Sequence, residues 1–357
     1  MDIQVIPARE LSPELILAWT AIQRSQEEFH SPYFCPEFVQ AVAQTREDVE
    51  VAVLREKEVV VGFFPFERHA WNLAQPVGGR MSDFQAVIAR SDVDWTPREL
   101  LAGCGLKGWE YDHWLVSQTQ FAASHAQTYD SPYLDLRDGF EAYYRARRAA
   151  GSERLIQFQR KLRKLEREVG PLRFVAESHD REMLQQLLVW KEAKYHERQL
   201  ANPFRQPKAL AMLEAFLRHD QPAFAGVLTA LYAGEHLVAV LFSLRSYNVW
   251  HYSLPAHNEE FNRYSPGSIL LTRLAQEADR LNVTRIDLGK GKDEYKDSFA
   301  SGSTPIAEGS VDSVRLVHHA RHAWRRTRDW VKNSHLYAPA RRPIRWLRET
   351  LDWMRYG

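Results

Sequence analysis

Cysteine is nearly absent from this sequence: Cys35 and Cys104 are the only two in 357 residues. Neither belongs to a CxxC pair or has a histidine at ligand spacing, so the pattern supports neither a disulfide framework nor a zinc site, and both thiols are expected to be buried. Long apolar runs are absent too. With no window of about 18 apolar residues, no segment is suited to cross a bilayer as a helix. The opening MDIQVIPARELSPEL has no basic start followed by an apolar run, so no secretory signal is expected and the reading is a cytoplasmic protein. No known nucleic-acid-binding motif occurs, which argues against a nucleic-acid partner.

What is present is an ordinary globular composition, 45% hydrophobic and 26% charged, in a chain long enough for two domains with cores of their own. The net charge is only +1, but it is unevenly spread. Ten Arg or Lys face three Asp or Glu from Arg321 to Gly357, and the ratio is the same from Arg145 to Arg173. Three units are expected: 1–136, 137–315, and a basic, Trp-rich helical tail over 316–357. In the tail, Trp324, Trp330, Trp346 and Trp353 among arginines fit either an anionic membrane surface or packing onto the body or a second subunit.

The first unit alternates helix and strand patterns. SPELILAWTAIQRS reads as a helix capped by Ser12, VEVAVLREKEVVVGFFPFER as a hairpin, PVGGRMSDFQAVIA as a glycine turn leading into a strand, and PRELLAGC and WEYDHWLV as a helix and a strand. The second unit opens with a long basic helix, about Phe140 to Val169, broken or kinked at Gly151-Ser152 and stopped by Gly170-Pro171. A strand, two helices, the strands FAGVLTALY, HLVAVLFSLRS and NVWHYSLPA, a further helix, the strand TRIDLGKG and the loop KDEYKDSFASG follow. Both units share an order of helical start, hairpin, then strand, helix and strand. That suggests a duplicated α/β (α+β) fold, each lobe a mixed, mainly antiparallel sheet flanked by helices.

The helix over Pro266 to Ala278 starts in an informative way. Ile269, Leu270, Leu274, Ala275 and Ala278 form its apolar stripe. Ser265 is a natural N-cap, Pro266 stands at the first helical position, and Gly267 and Ser268 leave the backbone uncovered. Free N–H groups at the positive end of the helix dipole suit a phosphate or carboxylate.

The stretches FNRYSPGSILLTRLAQEA and RIDLGKGKDEYKDSFASG, preceded by RKLRKLEREVGPLRF, resemble GNAT-type acetyltransferases of the CelD/BcsL family associated with cellulose and exopolysaccharide synthesis, relatives of the FemAB aminoacyltransferases. FHSPYFCPEFVQAV and VGGRMSDFQAVI resemble that family's N-terminal motifs. The resemblance implies two tandem GNAT-like lobes, and the first is expected to lack a donor site because its Gly78-Gly79 turn is followed by strand-like rather than helical sequence. It also implies acetyl-CoA or another acyl-CoA as donor, bound at Ser265, Gly267 and Ser268, and no metal. Lys296 matches the family's lysine and would neutralise a phosphate or oxyanion. Asp287 would take a proton from the acceptor or orient it, or instead pair with Lys290 or Lys292. His251 suits general base work and Tyr252 suits protonation of a thiolate, and one of the two must face the cleft because strand neighbours point opposite ways. Arg160 and Lys164 either line the cleft with Tyr295 as substrate contacts or form a solvated helix face.

The expected reaction is transfer of an acyl group to an amine or hydroxyl of a sugar, nucleotide sugar or lipid-linked sugar. Contact with an inner membrane or a polysaccharide synthase would suit that setting. A FemAB-like enzyme using aminoacyl-tRNA and a non-catalytic subunit of a polysaccharide synthase are the other two readings.

Overall fold

The structure, a computed structural model, describes residues 1–291 and 294–312. The 316–357 tail and Lys292 lie outside the described residues. The first half of the chain forms β1 (Asp2–Pro7), α1 (Pro13–Ser25), α2 (Pro36–Ala43), the hairpin β2 (Val49–Glu56) and β3 (Val59–His69), β4 (Leu73–Gln75), β5 (Ile88–Ala89), α3 (Pro97–Gly103), β6 (Gly108–Leu115) and β7 (His125–Asp135). The second half forms α4 (Gly139–Ala149), α5 (Glu153–Val169), β8 (Leu172–Ser178), α6 (Arg181–Glu197), α7 (Pro207–Leu217) and β9 (Asp220–Gln221). It continues with β10 (Phe224–Ala233), β11 (His236–Ser246), β12 (Val249–His257), α8 (Pro266–Gln276), β13 (Arg285–Asp287), α9 (Glu294–Phe299) and β14 (Gly302–Asp312).

All strands join one sheet, ordered β1-β2-β3-β4-β6-β14-β7-β13-β12-β11-β10-β8 with β5 and β9 on its flanks. The order mirrors itself. Each half runs from an edge strand through a hairpin to one parallel pair, β4 with β6 and β12 with β13, while the other named pairings are antiparallel. A helix links the strands of each parallel pair, α3 in the first half and α8 in the second. The last strand of each half is exchanged: β14 pairs with β6, β7 pairs with β13, and β14 and β7 pair with each other at the junction. The fold is thus mixed α/β with a large, mostly antiparallel sheet flanked by helices.

Apolar patterning explains the layers. On one face, α1, α2, α6 and α7 cover both halves of the sheet in one continuous core, where Phe38 of the first half stacks on Phe216 of the second at 5.3 Å. On the opposite face, α4, α5 and α8 seal β10 to β13 through Leu155, Phe158, Leu165, Leu270 and Trp250. Burying each such side chain contributes roughly 1.5–3 kcal/mol. The basic helix breaks between α4 and α5 at Gly151, which has φ +85°, and it ends where a Cβ on Gly170 would lie 3.0 Å from Gly234 of the β10–β11 turn.

Three readings of the sequence are corrected. Residues 294–299, expected within a loop, form the helix α9. TRIDLGKG and FQAVIA yield strands of only three and two residues, because glycine at 289 and 291 takes left-handed backbone and the segment before β5 is held by Gln85 instead of a ladder. The strand β14 was not anticipated at all.

Candidate active site

The helix α8 begins as a bare N-terminus, but not through the cap its sequence suggests. Ser265 has left-handed backbone (φ 56°, ψ 60°), and its side chain makes no capping bond. Its hydroxyl instead accepts a hydrogen bond from Lys161 Nζ of α5 at 2.7 Å. Gly267 is open. A Cβ built on it would meet nothing nearer than the Tyr252 hydroxyl, 3.9 Å away. The matching helix in the first half is closed: Thr96 and Glu99 form a full capping box over the first turn of α3, and the Glu99 carboxylate stands where an anion would bind.

In front of Gly267 lies a cleft of about 560 Å³, lined by Ser265 to Ser268, Tyr252 and His257 of β12, Tyr295 of α9, Trp190, Lys191 and Lys194 of α6, and Arg198 at the C-terminal cap of α6. Two features of β12 open it. Its parallel pairing with β13 stops at His251 opposite Asp287, so the strands part beyond that point. Between Phe242 and Leu244 of β11 the register slips, leaving Tyr252 and Ser253 together opposite Ser243, a bulge that takes backbone groups out of the ladder. The cleft is cationic by construction. Burial, with Lys194 and Arg198 alongside, lowers Lys191 to about 8. Tyr252 donates to the Gly267 carbonyl at 3.3 Å, and burial first, then Tyr295, raises its phenol well above the ordinary range.

On the other face of the same strands sits a second, enclosed polar group. His251 is fully buried, and its Nε2 lies 2.7 Å from Asp83 Oδ2, contributed by the loop before β5. Tyr33 and Phe84 pack edge-on against the imidazole. Burial raises the Asp83 carboxyl, but the hydrogen bond and charge of His251, with His113 and Lys296, outweigh it and bring it to about 2. Asp83 is nevertheless 26% accessible in its side chain. Asp287, the register partner of His251, is fully buried, and its Oδ1 accepts from Arg285 Nε at 2.7 Å. Lys296 Nζ donates to the carbonyls of Gly289 and Lys290 at 3.2 and 3.0 Å.

The loop that carries Asp83 is itself pinned from below. Glu67 accepts from Gly78 N–H at 2.7 Å and pairs with Arg46 at 2.6 Å. Asp48, Glu67 and His69 bring ligand atoms within 4.8 Å of one another, with the Arg46 guanidinium already on Glu67. Burial moves the Glu67 carboxyl from 4.5 to about 7 against the pull of Arg46. The folded chain therefore holds this proton more tightly than the unfolded chain, and stability falls as pH rises from about 4.5 to 7. Urea unfolding at pH 5 and pH 8 should show this loss, and Glu67→Gln should flatten it by roughly 2–3 kcal/mol. Equal slopes in the two proteins would remove Glu67 as its source.

Comparison with known proteins agrees with this geometry. Residues 136–297 match the sequence profile of the Acetyltransferase (GNAT) domain. This segment carries a GNAT acetyltransferase domain. No curated protein matches the chain by sequence. Among solved structures, FemX superposes with a TM-score of 0.56 at 10% identity, over 88% of this chain and 97% of that one. The C-terminal domain of a candidate lysylphosphatidylglycerol synthetase from Agrobacterium fabrum gives 0.53 at 12%, over 86% and 94%. A tandem GNAT protein from the clavulanic acid biosynthesis pathway gives 0.49 at 10%, over 88% and 99%. Two of these cover nearly whole chains at a TM-score above 0.5, so the shared fold extends beyond the GNAT domain into the first half.

The GNAT domain brings Ser265, Gly267, Ser268, Tyr252 and Tyr295 to one cleft and puts His251 and Asp287 behind it, so Tyr252 is the strand neighbour that faces the cleft. Arg160 is exposed and Lys164 is half exposed toward Glu168, whereas Lys161 between them reaches Ser265. Asp287 pairs with Arg285, two residues earlier on its own strand, while Lys290 reaches Glu308. The α6 cations and Asp83 escaped the sequence reading. Lys191, Lys194 and Arg198 sit on a helix without a clean polar face, and Asp83 lies in a loop with no periodicity to mark it. Among the described residues no helix is long and apolar enough to cross a membrane.

Proposed function

We propose that this chain transfers an acyl group, most simply acetyl from acetyl-CoA, to an amine or hydroxyl of a sugar used in exopolysaccharide or cell-surface polysaccharide assembly. The observation that carries the donor is the cationic cleft in front of Gly267. A Cβ there would stand in the approach, the helix start is uncapped, and Lys161, Lys191, Lys194 and Arg198 surround it, which fits a ligand bearing several phosphates. The donor supplies the thioester. Tyr252, held protonated by its burial, is placed to give its proton to the departing thiolate, and the bulge at Tyr252-Ser253 offers backbone N–H groups to a polarised carbonyl. The carbohydrate acceptor rests on the motif resemblance to polysaccharide-associated acetyltransferases, as do a cytoplasmic place and contact with an inner membrane or a synthase.

Titration calorimetry with acetyl-CoA tests the donor. Phosphates arriving beside Lys191 raise its pKa, so binding at pH 8 should take up as much as roughly half a proton, seen by comparing buffers of different ionisation enthalpy. Lys191→Met should abolish the uptake while binding weakens about tenfold. Absence of binding in the wild-type chain would overturn the acyl-CoA donor and favour an aminoacyl-tRNA donor.

A further inference from the structure

Trp71 is 83% exposed, the most exposed of the large apolar side chains among the described residues. Its backbone is unusual as well. Trp71 and Asn72, in the turn between β3 and β4, both have left-handed backbone (φ 63° and 58°), which is costly for a residue with a Cβ and rare for one as bulky as tryptophan. The turn is fixed on both sides: His69 pairs with Leu73 across the β3–β4 ladder, and the Lys107 N–H donates to the Asn72 carbonyl at 2.8 Å. A ring so exposed packs on little that would offset the cost of its turn.

Gly108 joins this turn to the end of the described chain. It pairs with Leu73 on one side and with Asp312 on the other, so Asp312 lies two strand spacings, about 10 Å, from the base of the Trp71 turn. Residues 313–320 alone separate Asp312 from Arg321, a reach of at most about 30 Å. From Arg321 to Gly357 the sequence carries ten Arg or Lys against three Asp or Glu, with Trp324, Trp330, Trp346 and Trp353 among them. The acids of the ladder beside the turn are already engaged, Glu50 with Arg68 at 2.7 Å and Glu67 with Arg46 at 2.6 Å. The counter-charge for the basic segment is therefore sought outside this end of the fold.

We propose that the Trp71 turn and the basic, Trp-rich segment rooted beside it form one face that docks on an anionic lipid surface. Tryptophan settles at the membrane–water boundary, where its ring is buried and its indole N–H stays wet. Arginines beside it are drawn to anionic headgroups, each strengthening binding roughly fivefold. Lys107, exposed and bonded to Asn72, adds to the same face. The left-handed turn gains a role in this setting: it holds the ring out in a fixed place, so insertion loses little conformational freedom. None of the described residues of this face lines the cleft in front of Gly267, and the proposal does not depend on the acyl-transfer reading.

Cosedimentation of the full chain with vesicles tests it. The chain should bind vesicles of phosphatidylglycerol and phosphatidylcholine in equal parts, more weakly as salt rises, and should leave vesicles of phosphatidylcholine alone. Trp71→Ala should weaken the anionic binding about tenfold with the thermal midpoint no lower than in the wild type, because the side chain packs on little. Arg325→Gln, Arg326→Gln and Arg328→Gln combined should weaken it about 100-fold. No binding to the anionic vesicles, equal binding to both kinds, or undiminished binding of Trp71→Ala overturns the proposal. Fluorine spectra of the chain labelled with 5-fluorotryptophan locate the contact. The Trp71 signal, assigned by its absence from Trp71→Phe, should broaden with a water-soluble paramagnetic agent in the free chain and be protected once anionic vesicles are present. Protection already in the free chain means that the basic segment or a second copy covers the ring, and overturns lipid docking. Acetyl-CoA binding is measured without vesicles, so failure here leaves the acyl-transfer reading standing, and the reverse holds as well.

Discussion

With acetyl-CoA as the proposed donor, Gly267→Glu is expected to raise its Kd by about 100-fold or more, while the thermal midpoint stays unchanged or rises slightly. The two halves of this expectation have separate causes. A Cβ at 267 meets no atom outside its own helix turn closer than 3.9 Å, so the first carbon of a side chain is accommodated. Glutamate in the first turn of a helix also suits the dipole and replaces a poor helix former, which together stabilise by a few tenths of a kcal/mol to about 1. The same carboxylate stands in front of the free helix start, among Lys161, Lys191, Lys194 and Arg198, and competes for every group that would hold a phosphate. A loss of about 100-fold corresponds to about 2.7 kcal/mol. Calorimetry and a thermal melt on the same sample check both halves. Undiminished binding would show that the donor does not use this helix start.

Arg285→Ala costs about 3–5 kcal/mol of stability, because it leaves the Asp287 carboxylate fully buried without its ion pair. Arg285 does more than neutralise Asp287. It lies over the Tyr133 ring at 4.0 Å and donates to Thr304 Oγ1 at 2.6 Å, so one side chain ties β13 to β7 and β14. The expected fall in melting temperature is on the order of 10 °C. Adding Asp287→Asn should recover more than half of it, since the uncompensated charge dominates. If the double variant melts no higher than Arg285→Ala, the loss arises from the Tyr133 and Thr304 contacts instead.

Elements with local signals were legible in the sequence. The α4–α5 break stands at a glycine, the hairpins are long β-branched runs around short polar turns, and α8 carries an unbroken apolar stripe. The uncovered start of α8 was legible too, although its detail was not: the Ser265 hydroxyl is held by Lys161, 104 residues away, and no local pattern encodes that contact. GSTPIAEGSVD contains little that marks a strand, since two glycines, a proline and small polar residues hide its alternation. Its strand character comes from two neighbours, β6 and β7, that exist only in the folded sheet. His251 was readable as a candidate, whereas Asp83 was not, because their pairing bridges 168 positions and leaves no trace in spacing.

The exchange of β7 and β14 bears on how the molecule comes into being. As the chain is synthesised, β6 waits with an open edge until its partner, about 190 residues later, has been made. Loop closure over that length is costly and slow, and an open edge is where wrong pairing begins. The sheet of the first lobe therefore cannot be completed before the second is almost finished. Biogenesis ends with a single closing event, the seating of residues 302–312 between β6 and β7, which joins two lobes into one cooperative unit.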